Sequence, residues 1–273
     1  MNQNVTVVRG TNEKPASSEA IANFFAKQTR YHGQFFVGYP IIGTPEGRYP
    51  IDALWVSPDT GIVIFDLIEG KDPGKFQERQ DDAANKLEAK LKAHRELMSK
   101  RQLLVPINTI SFAPAITNPS RFSGDGYFLC NLENLEETLD QLHREHENGL
   151  YEVTLSAIQN ISTIRKNRTK RIVEREDSRG GKLKRLEDSI ATLDNIQGKA
   201  VIETVVGVQR IRGLAGSGKT IVLALKAAYL HAQHPEWRIA VTFNTRSLKG
   251  QFRRLINTFS IEQTGEEPDW ENL

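Results

Sequence analysis

Tyr49 to Lys71 read "YPIDALWVSPDTGIVIFDLIEGK", two apolar runs joined by the turn Pro58-Asp59-Thr60-Gly61. Turn-forming residues between two such runs mark a β-hairpin. "GQFFVGYPII" at 33–42 is a third apolar run, so the three together predict a small sheet of hairpins. Asp52, Asp66, Glu69 and Lys71 lie in this hairpin, at or just beyond its strand ends.

Upstream, "NVTVVRG" has strand composition. "PASSEAIANFFAKQ" reads as a helix capped by Ser17 or Ser18, with Ala20, Phe24 and Phe25 at core-facing spacing. Downstream, Asp72 and Pro73 start a helical pattern to about Arg101, with Leu87, Leu91, His94 and Met98 on one face and His94 at the edge of the core. "INTISFAPAI" and "GYFLCNL" predict two further strands, and helices follow near 132–147 and 149–164. Residues 1–164 are therefore expected to form an α/β module around one central sheet.

After Ile164 the composition turns basic. Ten Lys or Arg fall between Arg165 and Arg185, against Glu174, Glu176 and Asp177, and Gly180-Gly181 interrupts the run. Residues 165–192 read as a basic linker, able to track a phosphate backbone or simply to be solvated. Residues 193–273 form the second module. "GVQRIR" predicts a strand, "TIVLALKAAYLHAQH" a helix, "RIAVTFNT" a second strand and "RSLKGQFRRLI" a helix.

The 273 residues suit two unequal domains. With 38% hydrophobic and 26% charged residues and no long apolar run, the chain is expected to be soluble and cytoplasmic, without a membrane partner. Cys130 is the single cysteine, which excludes an internal disulfide framework and reads as a buried apolar residue. The net charge of +2 is too small to argue for nucleic acid by itself. His143 with His146, and His231 with His234, have helical spacing but no evident third metal ligand, and read as surface histidines.

Gly213-Leu214-Ala215-Gly216-Ser217-Gly218-Lys219-Thr220 matches G-x-x-x-x-G-K-[ST] between a predicted strand and a predicted helix. Glycines let backbone N–H groups curl around phosphates at a helix N-terminus. Lys219 is expected to reach the β and γ phosphates of ATP, and the Thr220 hydroxyl to hold Mg²⁺.

From Leu193 to about Ile256 the chain resembles the front of a superfamily 1 helicase of the UvrD/Rep type. "LDNIQGKA" is similar to the adenine-reading motif, "GLAGSGKT" to the first ATP motif, and "AVTFNTRSLKGQF" to the next motif, which touches single-stranded DNA. The resemblance implies that Gln197 contacts adenine and that Thr242, Phe243 and Asn244 contact the strand. An amide can bond an adenine edge, and an aromatic at a strand end can stack a base. Gln197 also reads as an ordinary helix-surface residue, and Phe243 as core at a strand end. After Thr220 no apolar run ends in Asp-Glu, the acidic pair that hydrolysis needs. The chain is therefore expected to be part of a longer enzyme and to hydrolyse ATP poorly alone.

Residues 49–71 resemble the core of the PD-(D/E)XK nucleases, in particular the nuclease-related (NERD) domains. There an acid ends one strand and an acid-x-Lys triplet ends the next. Asp52 fits the first acid, and Glu19 on the first helix would add another; Asp52 and Asp66 would hold Mg²⁺. With Asp66 as second acid, Ile68 falls at the lysine position. Glu69-Gly70-Lys71 restores the triplet but points it to the other strand face, unless a bulge near Gly70 brings Lys71 across.

The expected fold is thus α/β, a restriction-endonuclease-like domain followed by the start of a RecA-like P-loop motor domain. The expected function is that of an ATP-dependent superfamily 1 DNA helicase with a nuclease-like domain, in DNA repair or anti-phage defence by analogy. Two alternatives stay open: an active Mg²⁺-dependent nuclease-helicase, and an ATP-switched module that docks a protein partner.

Overall fold

The computed structural model describes residues 5–44, 47–142, 150–159, 197–205, 207–214 and 217–273. In chain order the front carries β1 (Val5–Arg9), α1 (Pro15–Lys27), β2 (Gly33–Val37), β3 (Ile41–Thr44) and β4 (Gly47–Pro50). Next come β5 (Ala53–Ser57), β6 (Gly61–Leu67), α2 (Phe76–Lys92), β7 (Met98–Ser99), β8 (Gln102–Leu103) and β9 (Ile107–Phe112). β10 (Phe128–Cys130), α3 (Leu135–Leu142) and α4 (Tyr151–Ile158) follow. Beyond them lie α5, described over 197–202, α6 (Lys219–Gln233) and α7 (Leu248–Thr264).

The architecture is mixed α/β. One sheet has the order β1-β2-β5-β6-β9-β10. β2, β5 and β6 form an antiparallel meander, while β1 joins β2, β9 joins β6 and β10 joins β9 in parallel. Every residue of β5 and β6 is buried because helices cover both faces. Leu54, Val56, Ile62 and Ile64 face a cluster with Leu87 and Leu91 of α2 and Leu155 of α4. Ala53, Trp55, Val63 and Phe65 face the other side, against Ile21 and Phe25 of α1 and Leu135 of α3. This is the period of two that alternating side chains impose. Cys130 is buried in the second cluster, as expected.

The apolar runs at 33–42 and 49–58 each break into two strands. β2 and β5 pair in the main sheet, while β3 and β4 form a separate hairpin. The breaks fall at Gly38, whose φ is +65°, and at Pro40 and Pro50, which have no ladder N–H to give. Across the corner, Gly38 N donates to Asp52 O at 2.7 Å and Ile51 N to Pro40 O at 2.9 Å.

Other elements differ from expectation for local reasons. α1 is not capped by Ser17 or Ser18. Pro15 starts it, and Ser17 N donates to the Glu69 carboxylate at 3.0 Å. α2 starts at Phe76 because Asp72 Oδ1 accepts from Gly74 N in a local turn. It stops at Lys92, where a 3₁₀ turn and the β7–β8 hairpin take over, so Met98 lies on a strand. α3 starts at Leu135, after a turn at 132–134, and α4 covers Tyr151–Ile158; residues 143–149 and 160–164 of the expected helices lie outside the described residues, as does the basic stretch 165–192.

The strands expected at 207–212 and 238–245 are absent. Both segments lack a regular element, with half-buried residues alternating with exposed ones, such as Ile239, Val241 and Phe243 against Ala240, Thr242 and Asn244. A strand is a pairing property, and neither segment has a ladder partner among the described residues. α7 runs past Ile256 to Gly265, where φ of +78° ends it. Val201, Ile202, Val222, Tyr229 and Ala232 share one buried cluster with Val8, Phe36, Tyr39 and Ile41.

Candidate functional site

Asp52 lies just ahead of β5 and Asp66 near the end of β6, and the meander brings both to one cavity of about 350 Å³. Lys14, the residue before α1, joins them: its Nζ is 2.6 Å from Asp52 Oδ2 and 3.8 Å from Asp66 Oδ1. Asp52 Oδ2 also accepts from Leu67 N at 2.9 Å. Burial raises the Asp52 pKa above the ordinary carboxylate value, with Lys14 and the Leu67 amide opposing. Arg79, in the first turn of α2, grips Asp66 with two bonds of 2.9 Å, from Nε to Oδ1 and from Nη2 to Oδ2. Ser111 Oγ on β9 donates to Asp66 Oδ2, and Gln80 Nε2 donates to Ser111 Oγ, both at 2.9 Å.

The acid pair is therefore matched by an ammonium and a guanidinium. Both Asp66 oxygens are engaged, and a hard divalent ion needs several free oxygen ligands. Among the described residues, no group of three or more His, Cys, Asp or Glu side chains is placed to hold a metal ion. As arranged, the pair fits cationic side chains and not a divalent ion.

The remaining acids expected here stand apart. Glu19 is on the outer surface of α1, bonded to Arg9 at 2.6 Å and Asn23 at 2.8 Å. Glu69 accepts from the first turn of α1, and Lys71 is exposed. Ile68 is buried among Phe76, Ala113, Ile116 and Leu129. Lys14, Arg79, Ser111 and Gln80 were not singled out from the sequence. No local pattern marks either cation: Lys14 simply precedes Pro15, and Arg79 lies in the first turn of α2.

The second site is the phosphate loop. Lys219 Nζ rests on the loop's own backbone, donating to Gly213 O at 2.8 Å and Leu214 O at 2.6 Å, with Ser217 Oγ at 3.3 Å. An ammonium on neutral carbonyls gains from exchanging them for anionic phosphate oxygens, so the loop fits a polyphosphate. Gly218 has φ of +78°, and a Cβ there would lie 2.9 Å from the Gln197 amide. Gln197 Nε2 donates to Ser217 O at 3.0 Å, which joins two motifs 20 residues apart. Thr220 is half-buried in the first turn of α6, and Gly216 lies outside the described residues.

Of the expected DNA contacts, Thr242 and Asn244 are exposed, while Phe243 turns inward and stacks on Phe252 at 5.5 Å between ring centroids. His143 and His146 lie outside the described residues. The surface reading of the other pair is corrected: His231 is buried and accepts from Asp269 N, and His234 is half-buried against Trp237, because α6 packs its C-terminal turn into the protein.

α6 links the two sites. It begins at Lys219 and ends with Gln233, which lines the acid cavity together with His234. Tyr229 Oη donates to Gly38 O at 3.1 Å, Gln233 Nε2 donates to the same carbonyl, and His234 Nε2 lies 2.9 Å from Thr11 Oγ1. No helix of the described residues is long and apolar enough to cross a membrane. No protein-family model, curated protein or solved structure matches the chain.

Proposed function

We propose that the chain binds ATP at residues 213–220 as the nucleotide-binding front of a superfamily 1 DNA motor. The module ahead of it is a nuclease-like fold that binds nucleic acid without cutting it. The bond from Gln197 to Ser217 O carries this reading, because it sets an amide suited to a base edge against the loop suited to its phosphates. With ATP bound, Lys219 would exchange the loop carbonyls for the β and γ phosphates, the first amides of α6 would face the anion, and the Thr220 hydroxyl would hold Mg²⁺. The helix, antiparallel meander, helix and parallel strand of the front, with Asp52 just ahead of β5 and Asp66 near the end of the adjacent β6, support the nuclease-like reading. The closure of Asp52 and Asp66 by Lys14 and Arg79 supports binding over cleavage.

The test is equilibrium binding of a fluorescent ATP analogue by the full chain. Lys219→Ala is expected to weaken it at least tenfold without changing the unfolding midpoint, since Lys219 bonds only its own loop. Equal binding by the variant would overturn the assignment. Single-stranded oligonucleotide binding should weaken steeply with salt.

A second reading, an active nuclease, is favoured by one contact. Lys14 places an ammonium at Asp52 where the acid-x-lysine pattern has Ile68. Plasmid cleavage with Mg²⁺ or Mn²⁺, lost in both Asp52→Asn and Lys14→Met, would establish it over the binding role.

A further inference from the structure

Lys226 stands two turns into α6 and reaches sideways to the end of α5. Its Nζ donates to Ala200 O at 3.4 Å, Val201 O at 3.2 Å and Glu203 O at 2.7 Å. Carbonyls at the end of a helix lack helical partners, and a cation there meets the negative end of the helix dipole. The placement is costly for a lysine: burial lowers the Lys226 pKa below its ordinary value, with Glu203 opposing. One turn earlier in the described part of α5, Gln197 Nε2 donates to Ser217 O. The described part of α5 is thus tied both to α6 and to its loop.

We infer that Lys226 is a positioning residue: by holding the end of α5 it fixes where Gln197 stands over the phosphate loop, and so sets the base preference of the bound nucleotide. The inference rests on the nucleotide-loop reading of residues 213–220. Gln197 spends one amide hydrogen on Ser217 and keeps the other, with Oε1, for a ligand. That donor and acceptor match N7 and the N6 amino group of adenine. Guanine presents two acceptors at the same edge, so one contact fails. The match holds only while α5 is clamped, because hydrogen bonds weaken steeply with displacement.

The experiment measures the affinity of the full chain for ATP, GTP and inorganic tripolyphosphate. Wild type is expected to prefer ATP. Lys226→Met is expected to lower the ATP-to-GTP ratio at least fivefold while tripolyphosphate affinity stays within twofold. Lys226→Arg, which can still bond carbonyls, should restore most of the ratio. Gln197→Ala should lower the ratio equally, and adding Lys226→Met to it should lower it no further. An unchanged ratio in Lys226→Met overturns the inference. So does a parallel loss for all three ligands, which is what a merely structural lysine would give. Failure of wild type to bind even tripolyphosphate would instead overturn the nucleotide-loop reading itself.

Discussion

Lys14 Nζ stands 2.6 Å from Asp52 Oδ2, pairing the residue just ahead of α1 with one just ahead of β5. Burial holds the Asp52 pKa above its ordinary value of 3.8 while Lys14 pulls it back. An acid whose folded pKa exceeds its unfolded value costs stability at neutral pH, and that cost disappears as pH falls through the folded pKa. Lys14→Met should therefore raise the Asp52 pKa further and lose about 1–2 kcal/mol near neutrality, as expected for a partly exposed pair. The deficit against wild type should shrink as the pH is lowered and Asp52 protonates. Urea midpoints across an acid series check this; a constant deficit refutes it.

Asp66 is the more buried of the two acids, its side chain 7% exposed against 20% for Asp52, although its partner Arg79 is 40% exposed. Arg79→Met leaves a carboxylate held only by Ser111 and, at longer range, by Lys14. The expected loss is about 2–4 kcal/mol. Asp66→Asn in the same background should recover part of it, since the charge that needs a partner is gone. A double-mutant cycle in denaturant gives the coupling, and additive losses would mean that the pair is not energetically linked.

The central hairpin was legible because Pro58 to Gly61 separates two runs that pair as β5 and β6 in register, Val56 with Ile62 and Ala53 with Phe65. Its acid pair was half legible. Asp52 and Asp66 were visible as strand-end acids, but the cations that close on them come from Lys14 and Arg79, 38 and 13 residues away in sequence. Such partners are set by how α1 and α2 lie across the sheet, which no local pattern carries. Glu69 illustrates the converse. Its spacing to Lys71 suggested chemistry, yet its carboxylate serves the first turn of α1. In the back segment, the alternation at 238–245 suggests a strand, and none forms there, because alternation does not supply the neighbour that a strand needs.

Gly38 holds the corner where α6 meets the sheet. Its φ is +65°, and a Cβ there would lie 2.1 Å from Thr11 O. Gly265 has a similar φ of +78°, and a Cβ there would meet nothing within 4 Å among the described residues. Gly265→Ala should cost about 1 kcal/mol from backbone conformation alone. Gly38→Ala should cost at least about 2 kcal/mol more, because the clash adds strain and displaces the carbonyl that Tyr229 and Gln233 bond. Thermal midpoints of the two variants separate the effects, and equal losses would remove the close approach from the account.

His231 predicts an acid sensitivity with a defined sign. Its Nε2 accepts from Asp269 N at 3.1 Å, so the proton of the neutral ring sits on Nδ1, which is buried without a hydrogen-bond partner among the described residues. Burial lowers its pKa below the ordinary 6.5, Arg48 adds to the effect, and Asp269 opposes it. The unfolded chain therefore takes up this proton before the folded one does. Stability from His231 is complete above the unfolded value and falls away as pH drops from there toward the lower folded pKa. Protonation would also turn Nε2 into a donor facing the Asp269 amide, which already donates. His231→Gln keeps an acceptor and cannot charge, so its urea midpoint should fall less than that of wild type on acidification from about pH 7.5 to about pH 5.5, a window centred on the reference histidine value. Equal acid losses in the two proteins would show that another group carries the sensitivity.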